Sequence, residues 1–433
     1  METKNVLKSS QLESAISNDM YGNNGAAVHS PVSESEISEL LQHANQEGKK
    51  VTILSGGTKR GYGGLRNDYD IVLSLADYKG IVEHTPGDMT VTVRPGTTVK
   101  ELQEFLKEFS QMVSLDPSWP EQATIGGIIA SNESGPKRMK YGSARDLVIG
   151  LRVAYPDGTI IRTGGKVVKN VAGYDMNKLF IGSMGTLGVI TEITMKLRPI
   201  PKCESLVKIS VPNENLKDVQ TFAVKIQDSL MEPVTLELLN PSLSKRLLNK
   251  ENYHLLIGLE DVENSVRHQA KWIESNKPEG TTAQILNESE AELFWRRFSK
   301  ASPNSLAHPE TEETQAVLKI STKNMDVFEI IREAEALQAN SPINIEIHGG
   351  MGHGITYAIL TGKKSEIISA IGKLRDQAEM RKGYAVAKHL PYEWRKEVDV
   401  WGPQPAYFFL LKDIKKKVDS NNTLNHQRFV GGI

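Results

Sequence analysis

The residues best suited to chemistry in this chain fall into two groups. The first is a set of three glycine-rich runs: Ser55-Gly56-Gly57-Thr58-Lys59-Arg60-Gly61-Tyr62-Gly63, Ala123-Thr124-Ile125-Gly126-Gly127, and Gly182-Ser183-Met184-Gly185-Thr186-Leu187-Gly188-Val189-Ile190. Glycine admits positive φ and lets backbone N–H groups converge on phosphate oxygens with no side chain between them. Three such runs in one half of the chain point to a large phosphorylated cofactor. In the first run Ser55 and Thr58 add hydroxyl donors and Lys59 a charge, a set that can wrap a diphosphate. The second group is acid–base and cationic. Asn344-Ile345-Glu346-Ile347-His348 alternates as a strand, which puts Glu346 and His348 opposite the isoleucines, and a glycine loop with His353 follows. His348 is the candidate base there, against the plainer reading of a hairpin with an exposed histidine. Glu346, His348 and His353 have residue types that suit zinc, but the spacing falls on a glycine loop and no fourth ligand is evident, so no metal is assigned. Arg138, Arg296 and Arg297 are candidate carboxylate clamps, with Arg138 preferred, although cations on helices are usually solvated or paired.

The familiar phosphate loops do not match. No stretch supplies the Gly-Lys-Ser/Thr end of a P-loop, which disfavours a kinase or ATPase. Gly61-Tyr62-Gly63-Gly64-Leu65-Arg66 breaks the dinucleotide fingerprint at its third glycine.

The elements that must position these residues follow from the pattern. Ser33-Glu34-Ser35-Glu36 reads as a capping box opening a helix with an Ile37, Leu40, Leu41 and Ala44 stripe. Val51 to Leu54 is a short buried strand feeding directly into the first glycine run. Further strands are expected at 71–75, 90–94, 147–154, 159–162 and 187–197, with a helix over 99–110. Arg198-Pro199-Ile200-Pro201 marks a boundary, after which glycine runs stop and helices and strands alternate. The polar stretch Ser302 to Thr314 reads as a connection. The end, Arg428 to Ile433, is too apolar for a solvated tail and is expected to pack back on the chain. The organisation is therefore a polar leader (1–30), a nucleotide-binding domain (31–201), a second α+β domain (202–385) and a returning C-terminal segment (386–433).

At 433 residues the chain is too long for a single core, and 39% hydrophobic residues suffice for packed ones. A net charge of -1 gives no footprint for nucleic acid. The run Lys415-Lys416-Lys417 reads as a solvated helix face. One cysteine, Cys203, allows no internal disulfide and no thiol cluster, which places the protein in a reducing compartment, most simply the cytoplasm. Residues 1–24 lack the apolar core of a signal peptide, and no run approaches a membrane span. Any membrane contact would be peripheral, through partners.

Taken together, these segments resemble the FAD-binding domain of the vanillyl-alcohol oxidase and para-cresol methylhydroxylase type, and more narrowly the FAD-binding subunit of glycolate oxidase. The resemblance is carried by Ala123 to Gly127, Ser131-Asn132-Glu133-Ser134-Gly135, Tyr141 to Asp146, Lys169 to Asp175, Gly182 to Glu192, Asp399 to Pro403 and Arg428 to Ile433. It implies an α+β fold: a two-part FAD-binding domain with a second α+β cap. Ser55, Gly56, Gly57, Thr58 and Lys59 would cradle the pyrophosphate, and Thr124, Ile125, Gly126 and Gly127 would flank the diphosphate and ribityl chain. Ser131 and Gly135 would lie near the flavin, with Val189 and Ile190 at the adenine. With no histidine in the first run and no cysteine near the second, the resemblance implies noncovalent FAD. Its partners would be a homologous flavoprotein subunit and an iron–sulfur subunit, and its substrate a small 2-hydroxy acid. Two alternatives stand beside it: a self-sufficient oxidoreductase of lactate or another hydroxy acid, and a scaffolding subunit that binds flavin weakly or not at all. One departure is Asn425-His426-Gln427-Arg428, where the family reads Asn-Pro-Gly-Arg, so an altered turn is expected there. The family's second His-Gly motif is absent, which weighs against independent catalysis.

Overall fold

The structure, a computed structural model, describes residues 19–166, 174–306 and 314–433. Part of the Lys169 to Asp175 segment, most of the leader and part of the 302–314 connection lie outside these residues.

Two sheets build the half that holds the glycine runs. A parallel sheet has the order Gly25–His29, Tyr69–Ser74, Val51–Leu54. Its first strand falls in the stretch that the sequence leaves as leader, because Gly-Ala-Ala-Val-His has one large apolar side chain and no alternation to betray it. The ladder to Tyr69–Ser74 holds it instead. An antiparallel sheet follows, in the order Ile81–Thr85, Thr90–Val93, Val189–Lys196, Val148–Ala154, Ile160–Gly164. The helix Glu34–Gln46 packs Ile37, Leu41 and Ala44 against Val51, Ile71 and Leu73. Ser33 caps it by accepting the N–H of Glu36 at 3.2 Å, while the Glu36 carboxylate returns to the N–H of Val32, one residue before the cap.

The other half is one eight-stranded antiparallel sheet, ordered Thr282–Leu286, Cys203–Val211, Tyr253–Asp261, Thr235–Leu239, Asn344–Gly350, Ile355–Gly362, Thr314–Ser321, Tyr384–His389. Strict alternation separates its faces. Leu236, Leu238, Leu318, Ile345, Ile347, Ala358 and Leu360 pack one face under the helices Leu216–Gln227, Glu263–Asn276, Asp326–Ala339 and Lys364–Met380. The intervening positions point the other way. Lys319 pairs with Tyr357 and Tyr357 with His348, and Glu237 stands diagonal to His348 on the next strand. Four polar side chains thus form a row on the face opposite that core. At one side of the row the helix Glu288–Phe298 covers the sheet through Ala291, Phe294 and Phe298.

The C-terminal segment returns to the first half. Thr423 accepts the N–H of Val51 at 2.7 Å, and the Asn425 side chain accepts the N–H of Ile53 at 3.0 Å while donating to the carbonyl of Met184 at 2.7 Å. The Asn425–Arg428 turn survives without the family's Pro-Gly. Gln427 takes φ 66, the conformation glycine would adopt freely, and the Arg428 N–H closes on the Asn425 carbonyl at 3.1 Å. The substitution leaves the turn in place at a cost of about 1 kcal/mol. Lys415 departs from the solvated reading of its run. It is buried, because Asp419 at 2.6 Å and the carbonyls of Thr186 and Leu424 satisfy its ammonium, while Lys416 and Lys417 stay exposed.

Candidate functional site

The first glycine run divides into two parts with different work. The N–H groups of Gly56, Gly57, Thr58 and Lys59 have no partner among the described residues, and the buried Ser55 hydroxyl has none either. Gly57 holds φ 71, and a Cβ on Gly56 would stand 2.1 Å from the carbonyl oxygen of Gln122, so the loop must be glycine to lie this close to its neighbour. The later part is structural. The buried Arg395 guanidinium donates to the carbonyls of Tyr21, Arg60, Gly63 and Leu390, and a Cβ on Gly63 would meet the Arg428 carbonyl at 2.3 Å.

Ser55, Gly56, Gly57, Thr58, Lys59, Thr124, Gly126, Gly127, Ser131, Val189 and Ile190 all line one cleft. The second run contributes differently from the first. Thr124 caps the short helix Ile125–Ser131, and its N–H groups are spent: Ile125 on Thr97, Gly126 on Pro95, Gly127 on the Thr124 hydroxyl. Ile125 itself is fully buried beneath the cleft rather than in its wall. A Cβ on Gly126 would stand 2.5 Å from Pro95, so this glycine serves packing of the wall. Gly135 lies outside the cleft, in the neighbouring cavity. Asn425 and Arg428 also line the cleft, and Arg428 carries a buried Nε with no partner among the described residues. Four free N–H groups, a free hydroxyl and a guanidinium form a donor set that suits a diphosphate.

Thr58 and Lys59 line both this cleft and a second cavity of about 750 Å³, so the two are continuous. The cavity lies between the halves, its wall including Glu133, Ser134, Trp119, Trp295, Phe298, His348, Tyr357 and Lys388. Glu133 is buried between Lys59 at 2.8 Å and Lys388 at 3.4 Å and accepts the N–H of Ser118 at 3.2 Å. Burial alone would raise its pKa, but Lys388 and Lys59 pull it from the ordinary 4.5 down to about 2. A folded-state pKa below the unfolded one contributes stability above about pH 4.5 that is lost as pH falls toward 2. Glu133→Gln should therefore lower unfolding stability at pH 7 by about 3 kcal/mol, since two buried lysines lose their counter-charge. In urea melts the deficit should shrink between pH 5 and 3; a deficit constant with pH would remove Glu133 from this charge balance.

His348 is held from three sides. Its Nδ1 is 2.6 Å from the buried Glu237 carboxylate, Phe298 meets its ring edge-on at 4.8 Å and Tyr357 stacks at 5.4 Å. A carboxylate at Nδ1 keeps the proton there and leaves Nε2 as the acceptor. Glu346, its neighbour on the same face, pairs with Arg246 at 2.7 Å. His353 accepts the N–H of Ile355 at Nδ1, and its Nε2 is 3.9 Å from the second Glu237 oxygen. Burial pushes the His353 pKa down. Among the described residues no group of three or more His, Cys, Asp or Glu is placed to hold a metal ion. Arg138 is set back from the cavity wall and donates to the Ser134 hydroxyl at 3.1 Å. Arg296 is exposed and pairs with Glu292 at 2.9 Å. Lys59, Lys100, Lys137, Arg296, Lys300 and Lys388 line the cavity, and of these Lys59 and Lys388 flank Glu133, while Lys319 is not part of the wall. Burial, with Lys388 and Arg138 beside it, pushes Lys319 down to about 7.

A diphosphate cleft opening into a walled cavity beneath a second sheet is the plan of a flavin-dependent oxidoreductase. Residues 25–164 match the FAD binding domain. Glycolate oxidase subunit GlcD of Bacillus subtilis is 29% identical over 76% of this chain and 71% of its own length. Glycolate oxidase subunit GlcE of Escherichia coli is 32% identical over 59% of this chain and 69% of its own. A mitochondrial cytochrome D-lactate dehydrogenase of Arabidopsis thaliana is 34% identical over 51% of this chain, but only 38% of that relative is spanned. Among solved structures, p-cresol methylhydroxylase superposes with a TM-score of 0.76 at 15% identity, covering 98% of this chain and 93% of the other. 4-Ethylphenol oxidase from Gulosibacter chungangensis gives 0.73 at 15%, covering 96% and 90%. The chain belongs to the FAD-linked oxidoreductases that include the glycolate oxidase subunits, it shares the fold of p-cresol methylhydroxylase, and its cofactor is FAD. No described helix is long and apolar enough to cross a membrane.

Proposed function

We propose that this chain is an FAD-binding subunit of a glycolate-oxidase-type assembly, oxidising a 2-hydroxy acid in its own cavity and passing the electrons to partner subunits that include an iron–sulfur protein. The observation that carries this reading is the Glu237–His348 pair, which aims an imidazole acceptor into the cavity that continues from the cofactor cleft. The first glycine run and Arg428 would hold the FAD diphosphate without a covalent bond. When bound, FAD supplies the acceptor for the hydride that leaves the hydroxyl-bearing carbon. His348 Nε2 takes the hydroxyl proton, and the product is the 2-oxo acid. Lys388, 3.4 Å from Glu133 and on the cavity wall, receives the substrate carboxylate. That assignment replaces Arg138, which faces Ser134 instead.

The reading in which a partner subunit does the chemistry is separated by one experiment. The chain, purified alone and yellow with flavin, should bleach when mixed anaerobically with a 2-hydroxy acid. Colour without bleaching by any acid would assign the chemistry to a partner; absence of colour would favour the scaffolding alternative.

A further inference from the structure

The cavity is far larger than glycolate or lactate require. Its roughly 750 Å³ lies in the range that takes ligands of twenty or more atoms, and because it continues from the cofactor cleft it would have to admit the flavin ring beside any substrate. The walls change character along its length. Around His348 they are polar, with Glu133, Lys388 and Tyr357. From His348 outward they become aromatic: Phe298 stands edge-on to the imidazole at 4.8 Å, and Trp295 packs against Phe298 at 5.3 Å. Trp119 faces the same cavity from the other half. Its indole N–H is spent on the Ser302 carbonyl at 2.7 Å, so what remains for a ligand is ring surface.

Trp119 also holds φ 56, a conformation that a bulky aromatic residue rarely adopts and that costs on the order of 1 kcal/mol or more. Its N–H groups on the Ser299 and Ser302 carbonyls hold the half-buried indole on the wall. The charges at this outer end are already answered: Lys300 pairs with Glu121 at 3.1 Å and Arg296 with Glu292 at 2.9 Å. Lys137 is held by Glu260 and by Glu204 at 3.5 Å, and Lys100 at the rim stands 3.8 Å from Glu104.

We propose that the cavity selects a 2-hydroxy monocarboxylic acid with a bulky apolar side chain, preferably aromatic. This rests on the hydroxy-acid reading above. The hydroxyl lies at His348, the carboxylate at Lys388, and the side chain runs past Phe298 between Trp295 and Trp119. Apolar contact with three rings stabilises the larger acids in proportion to the surface they bury.

The test uses the flavin-loaded chain and four monoacids, phenyllactate, 2-hydroxyisocaproate, lactate and glycolate, with 2-hydroxyglutarate as the diacid. Anaerobic bleaching should be at least tenfold more efficient with phenyllactate than with glycolate, with 2-hydroxyisocaproate in between. Trp295→Ala should cut the phenyllactate-to-glycolate ratio at least fivefold. Binding is read independently by quenching of tryptophan fluorescence with phenylpyruvate and glyoxylate, and phenylpyruvate should bind at least tenfold more tightly. Fastest bleaching by glycolate or 2-hydroxyglutarate, or equal binding of the two oxo acids, would overturn the proposal. If no acid bleaches the flavin yet phenylpyruvate binds and quenches, the aromatic chamber stands and the oxidation reading falls.

Discussion

Gly57→Asp should yield a colourless protein. The residue sits at φ 71 in a loop whose four N–H groups and Ser55 hydroxyl are free to meet a diphosphate. An aspartate there places a carboxylate against two phosphates. At a separation of ~4 Å and an effective dielectric of ~20, each such repulsion is about 4 kcal/mol, or roughly a thousandfold in Kd. Positive φ adds about 1–2 kcal/mol of strain for any side chain. Gly57→Ala separates the two effects, because it carries the strain without the charge. Its flavin content should fall partly, and its melting temperature by a few degrees. The measurement is the 450-to-280 nm absorbance ratio after gel filtration, with far-ultraviolet circular dichroism as the check on folding. Undiminished flavin in the aspartate variant would remove this loop from the cofactor site.

His348→Gln should leave the flavin in place and slow its reduction by hydroxy acid about 10²- to 10⁴-fold, the usual contribution of a positioned base. Glutamine can still accept from neighbours but cannot carry the proton away. Dithionite reduction, which needs no base, should proceed as in the parent protein. Glu237→Gln tests the orientation. Without the carboxylate, Nδ1 is no longer held as the donor, so a fraction of the rings present an N–H to the substrate hydroxyl and the rate falls with KM little changed. Glu237→Asp should recover part of the rate. Parent-like reduction in His348→Gln would show that the proton leaves by another route.

What could be read in the sequence was what is local. The first glycine run and the alternation at 344–348 each declare themselves within ten residues. Two kinds of information were invisible. Glu237 and His348 meet across adjacent strands from positions 111 residues apart, and no spacing rule anticipates a pairing set by the register of an eight-stranded sheet. Lys388 similarly joins Glu133 only because the two halves close on one another. The second limit is that a residue type does not reveal its use. Gly126 and Gly127 look like a phosphate loop, yet their N–H groups are consumed by Pro95 and Thr124. Lys415 looks like part of a solvated run, yet Asp419 lets it be buried. Both cases turn on hydrogen-bond partners that composition does not show.

The return of Asn425 and Arg428 to the first glycine run has a bearing on biogenesis. The side chain of Asn425 closes on the backbone of Ile53 across a sequence separation of 372. A ribosome therefore releases the phosphate loop long before it releases the residues that complete the cleft. During that interval the nascent loop lacks the Asn425 bracket and the Arg428 guanidinium, and the cofactor cannot be held as it is in the finished protein. Flavin colour on a nascent chain should therefore appear only after Asn425 and Arg428 have reached the first glycine run.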